Sequence, residues 1–525
     1  MAYTKFYLTT PVFDASFAPN VGSLYTAILG DAIARHRRMC GFDVAFLMGT
    51  DTHRASGADS FQNSKAGQTD SVDENERKFS ELLKIAGVHS THFEQAYSRQ
   101  HAQAVEALLR RVLRRSHLSI YKGPYEGRRC EHDQIEVSDS AGPANCEICG
   151  RAAELVNEER YFFRLSSFQG RLTALYKSCL EFVQPAWRFE EIRRFVAGGL
   201  SDIPISCRRS KGGIPWPDDP DHSVNERCAE LACYLSGVGF GQSESGADEF
   251  AKYWPANAHV ASSAALRDHA VSWPAFLMAA DLPLPRHICA HGTISVEPGE
   301  TEEGFLSDSN LPALEGDALR YYLLRKAGDG SDVRVSSSGL AHCSRKDLDE
   351  GLVRLANQIL TMVARDCHGK IPARSLFSSV EPTIEIMAAD IRAEVRFLLD
   401  SFNFSDALGK IWSFMETIDG LLESTASFEH ATDAGEKQRF TDVLSDACQG
   451  LGLITLLLHP ILPATTDAIW RSLGQTTRLE DQLIDETPWN SLRPGKPIGK
   501  FEGLFHGAGK LQRAASAKPE TNPGS

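Results

Sequence analysis

The chain has 525 residues, 42% of them hydrophobic and 24% charged, with a formal net charge of -14. That length exceeds one ordinary core and predicts two or three domains of globular composition. The acidic balance offers no basic field for non-specific nucleic-acid binding, and no stretch approaches the apolar length needed to span a bilayer. Met1 to Tyr7 passes straight into a strand with no charged leader, so a cytoplasmic location and no membrane partner are expected. Twelve cysteines in such a chain point to reduced thiols, with any close cluster read as a metal site.

In chain order, residues 4–13 read as a buried strand, Leu24 to Met39 as a helix and Asp43 to Leu47 as a second strand. Strand, turn, helix, strand opens a doubly wound parallel sheet, whose ligand crevice lies at the strand carboxyl ends. From about Gly123 to Arg164 the chain turns short and turn-rich, as an insertion does. The sheet resumes around Trp187, passes through Tyr253-Trp254-Pro255 and His269 to Pro274, and closes near Asp317 to Arg325. Beyond roughly Arg345, apolar residues recur at spacings of three and four (Leu352, Leu355, Ile359, Met362, Val363), and the bundle continues to Leu462. The tail after Gly507 is small, polar and proline-bearing, and is expected to be disordered.

Three runs near the N-terminus carry the strongest signal: Leu8-Thr9-Thr10-Pro11, Ala18-Pro19-Asn20-Val21-Gly22-Ser23, and Gly49-Thr50-Asp51-Thr52-His53. They resemble the opening of methionyl-tRNA synthetases, class I enzymes with T-T-P, P-H-I-G-H and G-T-D-x-H elements. The resemblance spans most of the chain. It implies an α/β fold: a Rossmann-like parallel sheet, a small zinc-knuckle-type insertion and a C-terminal α-helical anticodon-binding-like bundle. The expected boundaries are 1–122 and 165–344 for the two halves of the Rossmann-like part and its linker, 123–164 for the knuckle, 345–506 for the helical domain and 507–525 for the tail.

The chemical positions of that signature are replaced. Both histidines of the H-I-G-H element have become Asn20 and Ser23, which donate hydrogen bonds but cannot become cationic. Counting forward from His287, the K-M-S-K-S positions fall on Thr301, Glu302, Glu303, Gly304 and Phe305, within a few residues. No lysine or arginine lies between Arg286 and Arg320. A facing like-charge pair at about 5 Å and an effective dielectric near 20 costs roughly 3 kcal/mol, so this region is expected to repel triphosphate. The lysine and aspartate of H-L-I-G-K-D correspond to Ser263 and Ala264.

Substrate-pocket candidates follow from the same resemblance. A pocket tyrosine corresponds to Asp14 and a pocket tryptophan to Arg227, whereas Asp51, Tyr234 and His269 are kept. Asp51 would hold a substrate ammonium, or simply end its strand. Asp14 and Arg227 are expected to act together, either pairing to close the cavity or recognising a charged ligand, since an unpaired buried charge is costly.

Cys130-Glu131-His132-Asp133 and Cys146-Glu147-Ile148-Cys149 stand where the family carries its zinc insertion, with Asp133 in place of one cysteine. Cys130, Cys146 and Cys149 with Asp133 or His132 could complete a structural zinc tetrahedron; a metal-free loop with three thiols is the alternative. At the anticodon end, the family's asparagine and arginine correspond to Arg354 and Gln358, and its stacking tryptophan to Phe428. These are the RNA-contact candidates, for tRNA or another small RNA. The bundle is otherwise kept for fold stability or a protein partner.

Losses at four motifs remove charge for ATP and shape for methionine. The expected function is therefore a binding, regulatory or accessory paralogue that no longer adenylates methionine or charges tRNA, with no usual ATP dependence. A retooled ligase that activates another amino acid or small amino-acid-like ligand is one alternative. A working methionine–tRNA ligase with tolerated changes is the other, although removing one preorganised donor already costs about a hundredfold in rate.

Overall fold

The computed structural model describes residues 4–51, 68–130, 135–137, 145–146, 150–209, 213–242, 244–306, 313–376, 378, 383–425 and 433–501. His132, Asp133, Cys149, Phe428 and the tail after Gly507 lie outside the described residues. The chain begins β1 (Lys5–Thr9), β2 (Phe13–Asp14), α1 (Val21–Met39), β3 (Asp43–Asp51), α2 (Gln68–Ile85), β4 (His92–Gln95) and α3 (Arg99–Arg115). The insertion region holds β5 (Ile120–Cys130), β6 (Ile135–Val137) and β7 (Glu154–Phe163). Then come α4 (Gln169–Ser178), β8 (Val183–Gln184), α5 (Ala186–Ala197), β9 (Ile203–Pro204), β10 (Ser206–Arg208), β11 (Pro215–Trp216) and β12 (Asp219–Val224). The second half of the α/β part has α6 (Glu226–Ser236), α7 (Glu244–Tyr253), β13 (Ala258–Ser262), α8 (Trp273–Ala280), β14 (His287–His291) and β15 (Ile294–Val296). The remainder is α9 (Glu302–Leu306), α10 (Ala313–Lys326), β16 (Val333–Val335), α11 (Ser337–Cys343), α12 (Arg354–Asp366), α13 (Thr383–Asp400), α14 (Phe404–Ser424), α15 (Ala434–Leu458) and α16 (Pro463–Ser472).

A seven-stranded parallel sheet runs in the order β2-β3-β1-β13-β14-β8, with β4 also on β3. Its strands are apolar on both sides, as a sheet covered on both faces requires. Phe6, Leu8, Val44 and Phe46 enter one core, and Tyr7, Ala45 and Leu47 the other, by the two-residue alternation of a strand. Helix α1 lies close on the first face because Gly30 has no Cβ, which would stand 2.7 Å from the Phe46 ring. The strand expected over residues 4–13 is divided at Pro11, which lacks the N–H a ladder needs.

The insertion is a long antiparallel ribbon of β5 and β7, with Ile120 opposite Phe163 and Arg129 opposite Glu154; β6 flanks β5 and β9 flanks β7. Helices α12 to α16 form the C-terminal bundle. One of them, α15, has the length and apolarity to cross a membrane, contrary to the sequence expectation, but nearly all of its apolar stretch is buried inside the bundle. Arg320 ties the parts together: its guanidinium is fully buried, pairs with Asp31 at 2.8 Å, and donates to the carbonyls of Ala86, Pro460 and Ile461.

Candidate active-site crevice

The crevice opens at the carboxyl ends of β1, β3, β13 and β14, beside the N-terminus of α1. That helix begins at Val21, three residues before the expected start, because Asn20 and Ser23 form a reciprocal capping box. The Asn20 side chain accepts the Ser23 N–H at 2.9 Å, and Ser23 Oγ accepts the Asn20 N–H at 3.2 Å. The two residues expected to offer donors to a phosphate are thus engaged with each other's backbone.

A further first-turn N–H is taken from across the molecule. Glu302 Oε2 accepts the Val21 N–H at 2.8 Å, which places a carboxylate where the helix dipole favours an anion. The chain around Glu302 is ordered to hold it there. Thr301 Oγ1 accepts the Gly304 N–H at 3.0 Å, and Phe305 is buried in the first core. Glu300 caps α11, both its oxygens lying 3.1 Å from the Ser337 N–H. Glu303 is exposed. The acidic stretch expected only to repel a triphosphate is therefore a structural brace.

Among the described residues, the polar contacts at the ends of β13 and β14 are made by uncharged groups. Ser263 Oγ meets Thr293 Oγ1 at 3.3 Å, and Thr26 Oγ1 meets His291 Nε2 at 2.9 Å. Burial pushes the His291 pKa down to about 4, so the ring is neutral. This polar step was not foreseen from the sequence; the lone signal was His291 at the end of an apolar strand.

The pocket candidates divide. Asp14 and Asp51 are neighbours in register between β2 and β3, with Asp51 buried. Tyr234 and His269 are joined at 2.6 Å. His269 sits in a π-type turn over Asp268–Ser272, and its Nδ1 donates to the Ala265 carbonyl at 2.8 Å, so its Nε2 accepts from the Tyr234 hydroxyl. Burial lowers the His269 pKa, in keeping with a neutral ring. Tyr7 Oη donates to the Tyr234 carbonyl, and Thr9 Oγ1 lies 2.6 Å from His259 Nδ1. Arg227 is exposed in the first turn of α6, and no ion pair joins it to Asp14 among the described residues. The expected pairing is corrected: Arg227 lies on an exposed helix start and does not close the cavity with Asp14.

Of the metal candidates, Cys130 ends β5 and Cys146 opens a tight turn, both buried. The Gly150 N–H donates to the Cys146 carbonyl at 2.9 Å, and Gly150 closes the turn at φ +70°. Cys130 pairs with Ile135 of β6, and the Asn145–Ala152 bridge closes the turn that carries Cys146. His36, Cys40 and Asp400 form a second cluster, with their ligand atoms within 4.8 Å of one another. Asp400 is already engaged by His36 Nε2 at 2.9 Å and Arg37 at 2.7 Å, and burial pushes the Cys40 thiol up to about 11. That donor set is an ion-pair network.

Arg354 and Gln358 do come together, at 2.9 Å along one face of α12. The Arg354 guanidinium is also committed to Asp419, through both of its terminal nitrogens.

Comparison with known proteins agrees with this architecture. The family model for class I tRNA synthetases (M) matches residues 6–142 and 125–360, and the anticodon-binding domain of tRNA ligases matches 384–508. The methionine–tRNA ligase of Thermotoga maritima is 29% identical over 95% of this chain and 80% of its own length. That of Listeria monocytogenes serotype 4b is 31% identical over 93% of this chain and 74% of its own. The Mycobacterium tuberculosis methionyl-tRNA synthetase solved with methionyl-adenylate superposes with a TM-score of 0.84, at 29% identity over 96% of this chain and all of that one. A family match across both the sheet and its closing elements, on a fold of the same topology, means that this chain belongs to the class I methionyl-tRNA synthetase family.

Proposed function

We propose that this protein is a methionyl-tRNA synthetase-family member that does not activate methionine with ATP and acts as a binding or accessory paralogue. The observation that carries the reading is the Glu302 carboxylate on the Val21 N–H. Amino-acid adenylation needs preorganised positive charge around the triphosphate. Here the helix N-terminus faces a carboxylate, the two H-I-G-H positions cap their own helix, and the neighbouring strand ends carry Asp14, Asp51 and a neutral His291. Fold alone confers no activity, which rests on these side chains.

The match to an anticodon-binding domain supports tRNA binding. The base-reading contact is the part we infer is lost, because Arg354 is turned onto Asp419. Cys130, Asp133, Cys146 and Cys149 are proposed to hold a structural zinc ion, read out as about one equivalent of zinc in the purified protein that falls away in Cys146→Ser.

A second reading, a retooled ligand-binding or ligase site, draws on one observation. His259 Nε2 and Trp273 Nε1 are buried without hydrogen-bond partners among the described residues, in the aromatic cluster around Tyr234. Such atoms cost about 1–3 kcal/mol each unless a ligand or water meets them.

Pyrophosphate exchange with ATP and each of the twenty amino acids tests these readings, beside a working synthetase. Silence across the panel is expected. Exchange with methionine overturns the proposal, and exchange with another amino acid replaces it with the retooled ligase.

A further inference from the structure

A cavity of about 310 Å³ lies far from the crevice in the fold, at the seam between the α/β part and the helical bundle. Its walls come from the C-terminal part of α1 (Arg35), the end of α2 (Lys84), the N-terminal parts of α10 (Asp317) and α16, and the turn at His459; Arg471 and Arg478 stand on its lining as well. A volume near 300 Å³ is at the small end of the range for small-molecule sites.

The chemistry of the walls has a sign. Each carboxylate is committed. Asp31 serves Arg35 at 2.7 Å and Arg320 at 2.8 Å, and Asp317 accepts both the N–H and the hydroxyl of Thr465 at 2.7 Å. Asp467 and Glu480 pair with Arg471 and Arg478. Two donors remain. Arg35 is held by Nε on Asp31 and by Nη2 on the Gly87 carbonyl at 2.9 Å, so its Nη1 is oriented and has no partner among the described residues. Its side chain is only 12% exposed, so this guanidinium is fixed and largely desolvated. Lys84, at the exposed rim, has no ion-pair partner among the described residues. His459 reports the same positive potential, its pKa pushed down to about 3 by burial first and then by Arg35 and Arg320.

We propose that this cavity binds a small phosphate ester, with the phosphate on Arg35 Nη1 and the Lys84 ammonium and the organic part in the remaining volume. A fixed guanidinium beside a mobile ammonium suits a tetrahedral oxyanion, and the cavity has more room than orthophosphate alone fills. Because the walls come from both parts of the chain, the ligand bridges them and stabilises their junction.

The test uses the full chain, with inorganic phosphate and glycerol 3-phosphate as probes and sodium acetate at matched ionic strength as control, read by calorimetry and thermal unfolding. Saturable binding of both phosphates is expected, tighter for the ester and absent for acetate. Lys84→Glu is expected to weaken it by about tenfold or more, as loss of a charge-assisted contact does, and Arg35→Gln to abolish it. Lys177→Glu, an equal charge reversal on the exposed face of α4 and outside the cavity lining, is expected to leave it unchanged. If Arg35→Gln fails to fold, Lys84→Glu and Arg471→Glu decide the matter. No saturable phosphate binding above the acetate control, or binding indifferent to the cavity variants, overturns the proposal.

Discussion

Glu302 and Val21 are 281 positions apart in sequence, and the carboxylate of one rests 2.8 Å from the backbone N–H of the other. The contact sets a carboxylate at the positive end of the α1 dipole. Glu302→Ala is expected to cost about 1 kcal/mol of stability, the worth of a helix cap with its dipole interaction. The same variant is expected to bind inorganic pyrophosphate more tightly than the natural protein. Calorimetry checks both, and an unchanged pyrophosphate affinity would show that Glu302 does not occupy an anion site.

Stability should fall in mild acid, with His101 as one identifiable cause. Its Nδ1 accepts the Tyr97 N–H and its Nε2 donates to the Ala229 carbonyl, both at 2.9 Å, an arrangement only the neutral ring can make. Burial pushes its pKa down to about 4. The unfolded chain therefore binds the proton first, so the contribution is present above about pH 6.5 and is lost as pH falls towards 4. At full expression it amounts to about 3 kcal/mol. His101→Gln keeps both hydrogen bonds, and its denaturation profile is expected to be flatter by that share between pH 6.5 and 4. An equal slope in the two proteins would refute the assignment.

Removing Asp31 should be severe. Asp31→Ala leaves Arg35 and Arg320 without their shared carboxylate, and Arg320 is fully buried. Loss of about 3–5 kcal/mol is expected, measurable by urea unfolding, since an uncompensated buried charge is the main cost. A loss under about 1 kcal/mol would mean that the carbonyls of Ala86, Pro460 and Ile461 satisfy the guanidinium unaided.

At the anticodon end, Asp419 rather than Arg354 is expected to control RNA affinity. Asp419→Ala releases the guanidinium, so tRNA binding should tighten and its salt dependence steepen by about one released counterion. Arg354→Ala in the natural background should leave affinity unchanged. Filter binding at several salt concentrations separates the two, and a loss on Arg354→Ala would place that residue on the RNA.

The opening strand, helix and strand were legible because both periodicities are strong there, and the family could be named from three short runs. Their lengths were less legible. Helix α1 starts at Val21 since the very substitutions that erase a catalytic signature, Asn20 and Ser23, write a capping box, and a box is a local pattern that can be read. Glu302 could not be assigned that way. Its sign was visible, but its partner is fixed by the packing of Phe305 and by the pairing of β15 with β16, which join segments far apart in sequence. The supposed pairing of Asp14 with Arg227 failed for a related reason: a family position gives a place along the backbone, and the first turn of α6 presents that place to solvent.

The brace formed by Glu300 and Glu302 bears on time as well as charge. Two acidic side chains two positions apart fasten one short stretch to the starts of two different helices, α11 and α1. A loop that must swing towards a nucleotide and back needs two resting positions of similar energy, and each glutamate deepens only one. The pair acts as a rivet between two helix starts, and any movement of this stretch has to break both carboxylate contacts at once.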